Sequence, residues 1–267
     1  MYSFFRSLSD LEIFILIPLS ACLTLLIITL IMRRFKHVLF SDNYDSSVLD
    51  TATQNTMSGA YVVLGFVLVL AMTTLSELDS KISQEATAIR SLERLLVLEG
   101  SKDSFTSRTY LVKYVDSVLN EEWPLIRISG ANPKTAEAIK NFFTSLDNIN
   151  PKDGKDIVVY SKILDRSDEV AKLRNARLFS VQNDLPAAFY FVSLFSILGV
   201  LLICSLRLVE ATAMRVFALT IQIVMLTIMF SAVLVIDLPY LGDTVSSPEP
   251  IVLIHESMKK RVGLHNE

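Results

Sequence analysis

The stretch GAYVVLGFVLVLAMTTLSELDSKISQEATAIRSLERLL, residues 59–96, decides the architecture. Its first half is apolar and uncharged. Its second half is charged, with apolar residues recurring at three and four: Leu78, Ile82, Ala86, Ile89, Leu92 and Leu96. That period is helical, and no proline interrupts the passage from one half to the other. The stretch therefore predicts a single helix that crosses a membrane and continues into water.

Three further apolar runs accompany it. The four expected spans are Leu11–Met32, Met57–Leu75, Pro186–Leu206 and Met214–Ile236, and apart from Glu12 and Arg215 at their edges none contains Lys, Arg, Asp or Glu. Each has about 20 residues, enough to cross a hydrocarbon core about 30 Å thick. Half of the 267 residues are hydrophobic and mean hydropathy is +0.46, which fits a membrane protein rather than an ordinary soluble domain. The first span lacks a basic leader and a small-x-small site, so it is expected to be retained. Cys22 and Cys204 both lie in expected spans and do not suggest a disulfide framework.

Between the second and third spans, residues 76–185 read as almost all helix. A second extramembrane helix is expected from Asp103 through Leu111, Tyr114, Val115, Val118 and Leu119 to Trp123, ended by Pro124. A third starts with Asn132 as N-cap and Pro133 at the first helical position, and carries Ala136, Ile139, Phe142, Phe143 and Leu146. A fourth starts near Pro151–Asp156, buries Ile157, Tyr160, Ile163, Leu164, Val170 and Leu173, and runs toward Asp184. After Ile236 comes DLPYLGDTVSSPEP, then a short amphipathic stretch, Ile251–Arg261. The expected fold class is all-α: a four-span helical membrane protein with a helical bundle inserted between spans two and three. Its parts are 1–75, the first pair of spans; 76–185, the bundle; 186–236, the second pair; and 237–267, the tail.

Excess Lys/Arg marks cytoplasmic loops. Arg33, Arg34 and Lys36 follow the first span, and Arg207 and Arg215 flank the loop between spans three and four. This places both short loops inside a bacterial cytoplasmic membrane and the helical domain outside. Lys259, Lys260 and Arg261 in the tail count the other way.

Nothing here points to catalysis. His37, His255 and His265 do not sit at metal-ligand spacing, and no phosphate-binding glycine motif follows a strand. Glu121 and Glu122 before Trp123 read as a solvated helix end, and Asp165, Asp168 and Glu169 as a wet face. Trp123, the only Trp, is expected to cap the bundle core or sit at the membrane interface. The middles of the spans hold no acidic or basic residue of the kind coupled transporters use; Gln222 reads as an interhelical hydrogen bond, and Gly59 and Gly65 as points of close approach. No enzyme, metal, cofactor or nucleic-acid partner is expected.

SGAYVVLGFVLVLA in the second span resembles the pore helix of bestrophins, pentameric anion channels with four spans per subunit. In that family bulky apolar side chains four residues apart form a neck, the last being a Phe after a Gly. The matching positions are Ser58, Val62 and Phe66, of which Val62 and Phe66 fit the apolar pattern. More widely, the chain resembles the bacterial bestrophin-like family. The marks are GF in span two, QEATAI with its leucine-rich turn, EEWP, RNAR, DLPYLG and SPEP, in order over roughly 55–255. The resemblance implies a homo-oligomer, pentameric if it follows bestrophins, that passes inorganic ions through a lipid bilayer. It also implies a cytoplasmic helical region, against the charge count.

Helical spacing supports the pore reading. Steps of three and four from Ser58 reach Val62, Gly65 or Phe66, Val69, Met72 and Ser76, then Asp79, polar at the ends and apolar between. Rings of such residues make a hydrophobic constriction. The expected function is thus a passive ion channel lined by span two. The alternative is a membrane-anchored sensor or accessory subunit whose helical domain binds a ligand or partner. Arg174 and Arg177 share a helix face and divide the two. They either pair with acids such as Glu85 or Glu93, or with lipid phosphates, or they contact an anion.

Overall fold

The computed structural model describes residues 9–35, 46–126, 130–180, 185–209, 211–237 and 246–263. Lys36, His37, His265 and the part of DLPYLG after Asp237 lie outside them. Every regular element among the described residues is helical. They are α1 (Asp10–Arg34), α2 (Ser46–Glu99), α3 (Lys102–Ser117), α4 (Pro133–Leu146), α5 (Gly154–Ser180), α6 (Ala187–Leu208), α7 (Ala213–Ile236) and α8 (Glu249–Val262). Four of them, α1, α2, α6 and α7, are long and apolar enough to cross a membrane. The stretch 59–96 lies within one unbroken helix of 54 residues.

The chain forms two compact units, residues 1–75 with 184–245 and residues 76–183 with 246–267. In the first, α1 packs on α6 and α7. The common core gathers Ala21 and Leu25 from α1, Ala60 and Leu64 from α2, Val200 and Cys204 from α6, and Ile223 and Leu226 from α7. Apolar contact with lipid costs these helices nothing, so packing and polar ties must hold them together. The Tyr61 hydroxyl donates to the Gln222 carbonyl at 2.9 Å. Arg207 donates to Asp50 at 2.9 Å, and Arg33 to the Leu208 carbonyl at 3.4 Å. Asp237 accepts from the Leu185 amide at 2.9 Å and from the Tyr190 hydroxyl, anchoring the start of α6. The interhelical bond at position 222 thus uses the backbone; the Gln222 side chain is exposed. A methyl group placed at Gly59 or Gly65 would meet nothing within 4 Å, so neither glycine serves a close approach inside the chain.

In the second unit all six apolar positions read on α2, from Leu78 to Leu96, are buried. Leu111, Tyr114 and Val115 of α3, Phe142 and Leu146 of α4, and Val159, Ile163 and Val170 of α5 are buried in the same unit. Asn132 caps α4 as expected, its Oδ1 accepting from the Lys134 amide at 2.9 Å. Asp153 opens α5 by accepting from the amides of Lys155 and Asp156 at 2.8 and 2.9 Å. The amphipathic stretch 251–261 is α8, which packs on α3 through buried Ile251 and Met258.

Several local expectations need correction. The α-helix expected to reach Trp123 ends at Ser117; a π-helical turn, Val118–Glu122, and a 3-10 turn, Trp123–Leu125, follow. Pro124 has no amide to donate, and the wider turn before it carries the chain past that gap. Ala136, Ile157 and Leu164 are exposed, while Thr135 and Val159 take the inward positions. Helix α5 ends at Ser180 in the described chain, and residues 181–184 lie outside it. The buried stripe of α5 runs Val159, Ile163, Ser167, Val170, Arg174, Arg177. Its apolar phase is therefore completed by two arginines.

Helix α8 is tied to α3 by charge as well. Lys259 Nζ lies 3.1 Å from Asp116 Oδ1, and His255 Nε2 lies 3.3 Å from the same oxygen. Burial first, and then the Lys259 charge, pull the His255 imidazole below its ordinary range, against the opposing pull of Asp116 and Glu256. A lowered folded pKa means that the unfolded chain binds the extra proton more readily. Stability of this contact should thus fall as pH drops below about 6.5, the unfolded value, toward the folded one. Protection of the α8 amides, corrected for the intrinsic exchange rate at each pH, should fall between about pH 7 and pH 5 in the wild type. An equal pH response in His255→Asn would sink this assignment.

Candidate functional site

On the span-two part of α2 the side chains divide cleanly. Met57, Ala60, Leu64, Val67 and Ala71 face the core and are buried. Ser58, Val62, Phe66, Val69 and Met72 lie on the opposite side and are exposed, with Gly65 partly covered between them. Phe66 is 74% exposed and Leu64, two residues away, 0%. The six residues read from the spacing thus share one strip, open except at Gly65. In a membrane such a strip meets lipid, another copy of the chain, or a pore.

Arg174 and Arg177 lie elsewhere and are not exposed. Arg177 is 0% exposed and is held by two carboxylates. Its Nε and Nη2 donate to Glu85 at 2.7 and 3.2 Å, and Nη2 also to Glu122 at 3.0 Å. Arg174 Nη2 donates to the other oxygen of Glu122. The Arg177 guanidinium lies 5.3 Å from the Trp123 ring centre, and the Tyr114 hydroxyl reaches toward Glu85 at 3.5 Å. Burial opposes the Arg177 charge, yet the Glu85 and Glu122 carboxylates raise its pKa further above its ordinary value. Burial, then Glu85, push the Tyr114 phenol well above its usual range. The guanidinium therefore stays charged and the phenol neutral.

Of the three readings of these arginines, pairing with acids is what the geometry contains, through Glu85 and Glu122. Glu93 goes elsewhere, to Arg108 and Arg261, each at 3.0 Å. Glu122 is fully buried, which overturns its reading as a solvated helix end; Glu121 beside it is partly exposed and pairs with Lys134 at 2.9 Å. A signal for these acids was present in α2: Glu85 and Glu93 fall in the same helical phase as Ile82, Ile89 and Leu96. A charge on a buried phase needs a partner. Glu122 sits in the π turn and carries no such signal.

Four long apolar helices with a second helical unit define a multi-span, all-helical membrane protein. The Bestrophin-like domain matches residues 19–251, and the chain belongs to that family. Its fold is similar to that of a bacterial bestrophin homologue from Klebsiella pneumoniae. Identity there is 13%, the TM-score 0.70, and the match covers 94% of this chain and 99% of that one. A single-substitution variant of that homologue matches with TM-score 0.69 at 13% identity, covering 93% and 98%. Another solved structure, of a membrane protein with one substitution, gives 0.70 at 14% identity, covering 94% and 99%. No curated protein matches the sequence.

Proposed function

We propose that the protein is a passive ion channel built from several copies of this chain, five if it assembles as bestrophins do. Span two of α2 lines the pore, with Ser58, Val62, Gly65, Phe66, Val69 and Met72 facing the axis and Phe66 with Val62 at the narrowest point. Residues 76–185 act as an inserted helical domain. One observation supports this most: the strip from Ser58 to Met72 is uncovered in the single chain, although the opposite side of the same helix is packed. Copies related by an axis would bring such strips together as apolar rings, and apolar rings gate by dewetting. The test is ion flux through purified protein in liposomes, under separate anion and cation gradients, wild type beside Phe66→Ala. Folded oligomer without flux would remove the channel.

The charge count argues for a bacterial inner-membrane protein with the helical domain extracytoplasmic. A green fluorescent protein fusion after Ser101, in the turn joining α2 to α3, is then expected to stay dark, and an alkaline phosphatase fusion to be active. Fluorescence would put the domain in the cytoplasm, as the resemblance to bestrophins implies.

A sensor or accessory subunit is the second reading. It draws on a cationic groove within the second unit.

A further inference from the structure

We propose that this groove, between α2, α3, α5 and α8, binds a phosphate-bearing ligand that also has an aliphatic part. The cavity measures about 970 Å³ and is lined by Arg94, Arg108, Lys162, Arg166 and Arg261. That is at the upper end of the usual size range for small-ligand sites. The acids facing it are Asp165 and Glu169, with Glu93 beneath. Arg166 and Glu169 pair with each other, and Arg108 and Arg261 share the buried Glu93.

Two cations are left over. Among the described residues neither Arg94 nor Lys162 has an ion-pair or hydrogen-bond partner. Arg108 is nearly buried, with 11% of its side chain exposed, and its Nε has no hydrogen-bond partner. Glu93 holds the Arg108 fork at 3.0 Å and so fixes its direction. A pre-positioned guanidinium with flexible cations beside it suits phosphate, which accepts from several donors at once. Leu95, Val97 and Leu98 make one wall apolar, and no aromatic ring lines the cavity among the described residues. The wall thus suits an aliphatic portion rather than a stacked base. A lipid headgroup and a soluble phosphoester share this chemistry.

The site is independent of ion conduction, because binding is read without flux. Full-length protein in neutral detergent would be titrated calorimetrically with inorganic pyrophosphate and, separately, with dihexanoyl phosphatidic acid. Saturable binding that weakens with salt is expected for at least one. Arg94→Gln with Lys162→Gln should weaken it at least tenfold, since both cations are unpartnered and their loss leaves the packing intact. Arg90→Gln, on an exposed position of α2 outside the lining, should bind as wild type. Binding of phosphatidic acid alone would assign a lipid source, and binding of pyrophosphate a soluble one. No saturable binding of either probe, a double variant that binds like wild type, or an equal loss in Arg90→Gln would overturn the proposal.

Discussion

Arg177→Ala is expected to destabilise the second unit by about 3–5 kcal/mol, the cost of breaking a buried ion pair from one side. Glu85 and Glu122 are both 0% exposed, and Arg177 is the cation they share. With it gone, Arg174 still meets Glu122, but among the described residues Glu85 keeps only the 3.5 Å approach of the Tyr114 hydroxyl. A buried carboxylate so poorly compensated must take up a proton or open the fold. Arg177→Lys should fall between, because an ammonium keeps the charge and loses the two-pronged contact with Glu85. Trp123 makes the experiment direct. It is the only Trp in the chain and lies against the Arg177 guanidinium, so its fluorescence reports this cluster during thermal unfolding. A wild-type melting curve for Arg177→Ala would mean that the ion pairs contribute nothing net.

The second large effect contrasts two neighbours on α2. Leu64→Ala should cost about 2–5 kcal/mol, as removal of a buried Leu does, because Leu64 is 0% exposed in the core of the first unit. Phe66→Ala should leave the melting transition within about 0.5 kcal/mol of wild type, as substitutions of uncovered side chains do. Its effect should appear in flux: if Phe66 forms the neck, truncation widens the apolar ring and conductance rises several-fold or loses its gating. A melting change without a flux change would place Phe66 in a subunit interface or in lipid, and the neck assignment would fall.

Much of the fold is legible because it depends on local quantities. Apolar length alone marks the four membrane-spanning helices, since a span needs about 20 residues whatever surrounds it. The absence of proline between residues 46 and 99 and the three-and-four spacing of Leu78 to Leu96 specify one long helix with one buried face. Asn132 before Pro133 is a cap that few alternatives satisfy as well. The strip from Ser58 to Met72 can also be drawn from spacing, because helical period fixes which residues share a face.

Which face is covered is another matter. That Phe66 is open and Leu64 closed depends on where α6 and α7 pack, and spacing is silent on it. The same holds, more strongly, for charge. Glu122 meets Arg177 across 55 residues of sequence, and Glu85 meets it across 92. A carboxylate beside a tryptophan near a helix end reads as solvated because most are. Only the approach of α5 to α2 and to the π turn supplies the guanidinium that offsets its burial. The spans, the long helix and the phase of its faces are properties of the amino-acid order alone, since they follow from residues within a few turns of one another. Which charges are buried, and with whom, is set by the folded chain, because desolvation is offset only by partners that folding brings in from far along the sequence.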